Sequence, residues 1–201
     1  MNVQFPRFLR IFFPNFTWRR TTSSKVIYLT FDDGPVPEVT PLVLDILDKY
    51  GWKATFFCVG ENVQKHPKLY NEILQRGHKT GNHSFNHIKG FNFSTEEYVS
   101  NVRKASEYIK STLFRPPYGR IKPKQANILK REYEIILWDV ITHDYNKSLS
   151  SEIVFNNVKN NLRKGSIVVF HDSIKAKENI LTVLPKAIEF WESKNYSFGL
   201  L

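Results

Sequence analysis

Short apolar runs alternate with amphipathic stretches along the chain. Val26–Phe31 is an unbroken run of β-branched, aromatic and aliphatic residues, cut off by Asp-Asp-Gly-Pro, as in a buried strand. In Thr40–Tyr50, Leu42, Leu44, Ile46 and Leu47 recur at the spacing of one helix face, and Gly51 stands just past the end. Ala54–Val59 reads as a second strand, Pro67–Arg76 as a helix stopped by Gly77, and His78–Gly81 as a short third strand. Ser94 precedes Glu97 by three residues, so a capping box opens a helix over Thr95–Ser111. Strands are predicted at Leu113–Arg115, Glu134–Trp138, Ser166–Phe170 and Tyr196–Leu201, and helices at Lys124–Glu132, Ser151–Arg163 and Glu178–Lys194.

Strand-helix alternation builds a parallel sheet, because parallel neighbours need a crossover that a helix supplies. Six or seven such units fit an α/β barrel that is closed or nearly so, with an open doubly wound sheet as the alternative. With 201 residues, 41% hydrophobic and 14% aromatic, the chain suits one domain with a real core.

Charge adds little. The balance is +10, from 29 basic and 19 acidic residues, but these are scattered, with no basic helical stripe or nucleic-acid motif, so no nucleic-acid partner is expected. The single cysteine, Cys58, lies in an apolar run and reads as a buried hydrophobe. No stretch has the length of a transmembrane helix. Met1–Arg20 is aromatic and basic (Phe5, Phe8, Phe12, Phe13, Phe16, Trp18), and its apolar part is too short and interrupted for a signal-peptide core. Residues 1–24 are expected to pack as an extension on a domain of residues 25–201, as a monomer. The compartment is left open.

The polar clusters carry the chemistry. Asp32-Asp33 follows the first strand, His83 and His87 the third, Arg115–Gly119 the fourth, Asp139–Tyr145 the fifth and His171-Asp172 the sixth. All five stand past the carboxyl ends of strands, the rim on which parallel α/β sheets build active sites. The i, i+4 spacing of His83 and His87, read as a helical turn, brings two imidazoles to one side, and an adjacent aspartate can complete a metal site. Two neighbouring carboxylates repel, so a cation beside Asp32 and Asp33 explains the pair: one binds metal and the other takes a proton. Asp-Asp-Gly-Pro is equally good turn chemistry taken alone. Prolines stiffen Arg115-Pro116-Pro117-Tyr118-Gly119, a loop that with Gly119 can present a backbone N–H toward an oxyanion and whose Arg115 can pair with an aspartate. His171, partnered by a carboxylate such as Asp144, can serve as a general acid.

Thr30-Phe31-Asp32-Asp33-Gly34-Pro35, His83-Ser84-Phe85-Asn86-His87 and Arg115-Pro116-Pro117-Tyr118-Gly119 resemble, in order, the first three motifs of the polysaccharide deacetylases, carbohydrate esterase family 4, with its NodB-homology domain. Val169-Phe170-His171 is similar to the fifth. The resemblance implies a distorted (β/α)7-type barrel and a hydrolase that removes acetyl groups from N-acetylated sugars. It implies a divalent ion on Asp33, His83 and His87: zinc, or cobalt or nickel. Asp32 would be the base held by Arg115, His171 the acid tuned by Asp144, and the Tyr118 N–H part of an oxyanion hole. Tyr145, Val169 and Pro117 would border the substrate pocket. Two departures stand out: Ile141-Thr142-His143-Asp144-Tyr145 where the family has Asp-x-x-Asp-Trp, and Val169 where leucine is usual. They bear on acyl selectivity and substrate rather than on the chemistry. His143 has no family role. Competing readings are the same site acting on a non-sugar amide or formamide, and a silent glycan-binding domain.

Overall fold

The structure, a computed structural model, describes residues 3–4, 10 and 13–201; the predictions for Phe5, Phe8 and Phe12 lie outside them. The described residues contain nine strands and seven α-helices. The strands are β1 (Phe16–Thr17), β2 (Val26–Asp32), β3 (Thr55–Cys58), β4 (Lys79–Asn82), β5 (Leu113–Phe114), β6 (Glu134–Ile136), β7 (Val140–Ile141), β8 (Ile167–His171) and β9 (Ser197–Phe198). The helices are α1 (Thr40–Lys49), α2 (Gly60–Lys65), α3 (Pro67–Gln75), α4 (Thr95–Ala105), α5 (Pro123–Leu129), α6 (Ser151–Asn161) and α7 (Lys177–Ser193).

All strand pairings are parallel, in the order β1-β6-β5-β4-β3-β2-β8-β7, with β9 also on β2. β2 is central and buried, as its apolar run requires. Its Phe31 stacks on Phe56 at 4.8 Å and lies 6.2 Å from Phe170, joining three strands in the core beneath α1, α6 and α7.

The sheet curls into a half-barrel because one stretch serves both ends. The strand expected over Glu134–Trp138 stops at Ile136 as β6, and β7, Val140–Ile141, was not expected. The chain pairs first with β5 and β1, then bends and joins β8. Across the bend, the Leu137 N–H donates to the Thr17 carbonyl (2.8 Å) and the Asp139 N–H to that of Ile167 (3.0 Å). Asp139 is fully buried there and is held by Arg163 Nε (2.7 Å), the Ser166 hydroxyl (2.9 Å) and Arg10 Nη1 (3.0 Å). Burying a carboxylate requires such a set of partners.

Several bounds differ from expectation. α2 was missed: its six residues are too few for a periodic signal. α4 has the predicted capping box on Ser94 and Glu97 but ends at Ala105, with Tyr108 in the turn that follows. In α1 the buried face is Val43, Leu44 and Leu47, while Leu42 points outward. The last strand is two residues long, Ser197–Phe198.

Candidate active site

β2 ends on Asp32, which is 4% exposed. Arg115, entirely buried, places Nη1 2.5 Å from Asp32 Oδ1 and 2.8 Å from the Thr30 hydroxyl. Its Nη2 donates to the Leu137 carbonyl at 3.2 Å, and its guanidinium lies 4.0 Å from the Phe57 ring centroid. Every direction in which this cation could swing is filled, so the carboxylate it pairs with is fixed.

One residue on, Asp33 takes φ +82, which turns its side chain toward the histidines. Asp33 Oδ1 lies 3.1 Å from His87 Nε2 and 3.8 Å from His83 Nε2. His83 Nδ1 lies 2.7 Å from the Arg115 carbonyl oxygen, an acceptor, so Nδ1 carries the proton and Nε2 the lone pair. Burial pushes the His83 pKa down to about 4, outweighing the charge of Asp32, so the ring is neutral at pH 7. Burial works to raise the Asp33 carboxyl, but the His87 hydrogen bond and the imidazoles of His171 and His83 hold it well below the carboxylate range. One carboxylate oxygen and two imidazole nitrogens therefore stand within 4.8 Å of one another. That donor set, with a ligand ring oriented by a backbone carbonyl, fits a divalent ion. The histidine loop is not the expected helical turn. Ser84 and His87 take φ +62 and +54, and this irregular path brings the ring centroids to 5.1 Å.

Beside Asp32, as its register partner on the adjacent strand, stands His171, the last residue of β8. Its Nδ1 is 2.8 Å from Asp144 Oδ1, and its backbone N–H donates to Asp144 Oδ2 at 2.8 Å. Burial alone would lower its pKa; the charge and hydrogen bond of buried Asp144 outweigh this and raise it to about 9. The Tyr145 ring meets His171 edge-on at 4.8 Å, and its hydroxyl lies 3.0 Å from His143 Nδ1, giving His143 a contact that the sequence did not suggest.

These groups border a cleft of about 1200 Å³ that Asp32, Asp33, His83, His87, His171, Tyr118 and Tyr145 all line. Val169 and Pro117 are buried and do not line it. The Gly119 N–H donates to the Pro116 carbonyl (2.9 Å). Tyr118 sits at φ +60, its ring 4.7 Å from that of His87. Three supports were not anticipated. Thr30 bridges Arg115 and the Val168 carbonyl. Asn62 donates to the Asp33 carbonyl at 2.8 Å. Asp172, next to His171, accepts from the Gly34 N–H (3.1 Å) and pairs with the Thr40 hydroxyl (2.6 Å), while its own N–H donates to the Asp32 carbonyl (3.1 Å). A Cβ on Gly34 would overlap that carboxylate, so the glycine is obligatory. A motif-edge aspartate beside His171 was the only signal for it.

A parallel α/β half-barrel with an Asp-His-His group, a buried Asp-Arg pair and an Asp-His pair on its carboxyl rim has the form of a hydrolase site. The polysaccharide deacetylase family model matches residues 19–132, more than half of the chain. A peptidoglycan-N-acetylglucosamine deacetylase from Bacillus cereus is 33% identical over 90% of this chain and 89% of its own length. A chitooligosaccharide deacetylase from Azorhizobium caulinodans is 33% identical over 80% of each. Some longer relatives match over part of their length only, 56% in one and 33% in another. A crystal structure of a peptidoglycan N-acetylglucosamine deacetylase, in complex with a naphthyl N-hydroxybenzamide, superposes with a TM-score of 0.90 at 30% identity, covering 98% of this chain and 95% of that one. The chain belongs to the polysaccharide deacetylase family.

Proposed function

We propose that this protein removes N-acetyl groups from an acetylated glycan of the chitooligosaccharide or peptidoglycan kind. The observation that carries the reading is the division of charge across one cleft. A carboxylate fixed by a buried arginine stands beside a protonated imidazole fixed by a buried aspartate, and a metal-ligand group lines the same cleft. The relatives named for deacetylation of peptidoglycan and chitooligosaccharides support this substrate class.

Asp33, His83 and His87 would hold the ion, zinc being the first choice for one carboxylate and two imidazoles, with cobalt or nickel as alternatives. When bound, such an ion supplies Lewis acidity, polarising a carbonyl and lowering the pKa of water toward neutrality. Asp32 takes the proton from the attacking water, because Arg115 occupies its Oδ1 and keeps the carboxylate oriented. Donors placed where negative charge develops stabilise it, and the Tyr118 backbone N–H is assigned that role. His171 gives its proton to the departing amine, and the Asp144 carboxylate stabilises the imidazolium until then. Amide cleavage balances: water adds across the C–N bond, leaving acetate and an amino sugar. Tyr145 faces the acyl side of the cleft.

The test is acetate release from N-acetylchitooligosaccharides and peptidoglycan glycan strands, with and without chelator. Asp32→Asn should retain bound metal and lose about 10³-fold in kcat. His83→Ala should lose both metal and turnover. Wild-type rates in Asp32→Asn would overturn the base assignment, and chelator-insensitive turnover would overturn the metal.

A further inference from the structure

The cleft does not stop at the reacting groups. It continues past Tyr118 and Trp138 to Phe13, Phe16 and Trp18 from the chain's amino-terminal part. Trp138 packs directly on Gly119: a Cβ there would come within 2.6 Å of its ring. At about 1200 Å³ the cleft exceeds the roughly 300–1,000 Å³ of pockets that take one small ligand.

The aromatic end is built. Phe13 and Phe16 stack at 5.6 Å with an 18° interplanar angle, and Trp18 meets each at 6.5 Å. Phe16 is held in register opposite Ile135 by β1–β6 pairing. Arg20 grips Glu134 with two nitrogens (2.6 and 2.9 Å), and the Thr17 hydroxyl joins the same carboxylate at 2.6 Å. Arg10 sits over the Trp18 ring at 5.2 Å while paired with Asp139. These anchors tie the segment to β6 and to Asp139, and its aromatics line the same cleft as Tyr118.

We infer that Phe13, Phe16, Trp18 and Trp138 form an extended sugar-binding subsite that takes residues of the glycan beyond the one being deacetylated. Pyranose rings present apolar C–H faces with a polar rim, and fixed aromatic rings in a cleft suit such faces. The occupant is a glycan chain, because the platform continues the cleft in which the acetylated sugar is proposed to react; on that point the inference rests on the proposed function. The subsite makes the enzyme selective for chains over short fragments, acting through KM.

The test separates binding from turnover. Intrinsic tryptophan fluorescence is titrated with chitobiose and with chitopentaose (both N-acetylated) on wild type and on Phe13→Ala. Phe13 is a partly exposed ring outside any strand, so its removal leaves the fold in place. Wild type should bind the pentaose about tenfold more tightly than the biose. Phe13→Ala should lose about five- to tenfold for the pentaose and nothing for the biose. In turnover assays the same variant should raise KM for the pentaose at unchanged kcat. Equal affinities for the two lengths, or equal losses on both in Phe13→Ala, would overturn the subsite even if the enzyme deacetylates. Length-selective binding without acetate release would retain the subsite and reject the reaction. Salt-steep quenching by a single-stranded oligonucleotide with none by the pentaose would overturn it in favour of nucleic acid.

Discussion

Two ion pairs stand side by side at the ends of adjacent strands, and they are opposites. In Asp32–Arg115 both members are buried, and the cation is a guanidinium that does not lose its proton. In Asp144–His171 the anion is buried, but the cation is an imidazole lining the cleft, able to give its proton away. The first pair can only hold a charge in place. The second can hold a charge and then discharge it. Acid and base are thus separated by the choice of partner rather than by distance, and each partner is more deeply buried than the group it controls or equally so.

Breaking the first pair should have the largest effect. Arg115→Met leaves Asp32 as a buried carboxylate without its cation. Removing one member of a buried pair costs about 3–5 kcal/mol. The denaturation midpoint should fall accordingly, and acetate release should drop more than about 10²-fold. A variant as stable as wild type would mean that water reaches Asp32 and that the pair is not the fixed element described.

The second pair should break more gently and with a pH signature. The folded pKa of His171 is raised to about 9, above its ordinary 6.5. Its stabilising contribution is therefore complete below about pH 6.5 and is lost as pH rises through about 9. Asp144→Asn should be less stable than wild type at pH 6, with the gap closing toward pH 10. In kcat/KM, the wild-type alkaline limb should fall near pH 9. In Asp144→Asn it should move about two units or more to lower pH, since burial alone depresses an imidazole. An unmoved limb would remove His171 from the role of acid.

How much of this contrast the sequence displays follows from what kind of signal each part leaves. Asp33, His83 and His87, and Asp32 with Arg115, stand in motif segments at strand ends, and parallel topology brings such ends to one rim. The strands β1 and β7 are two residues each and carry no period, so only their partners' register defines them. The positive φ of Asp33, Ser84, His87 and Tyr118 is likewise silent, because none of them is glycine. Phe13, Phe16 and Trp18 were not legible as the wall of a cleft, since that depends on how the chain runs past residues 137–139.

Asp172 gives the smallest effect and the sharpest check on the comparison, because it touches both sides. It follows His171, its N–H holds the Asp32 carbonyl, and its carboxyl holds Gly34 and Thr40. If it were a third charged participant, the site would not reduce to two opposed pairs. Burial, with the nearby charge of Asp33, pushes its pKa up to about 8 against the hydrogen bonds that lower it, so at pH 7 the group is mostly uncharged. An amide matches a neutral carboxyl in size and charge. Asp172→Asn should therefore fold normally and lose less than about tenfold in kcat at pH 7, the scale of one strained hydrogen bond. A loss equal to that of Asp32→Asn, with an intact melting transition, would show that Asp172 moves a proton or carries charge in the reaction, and the two-pair description would have to become a three-group one.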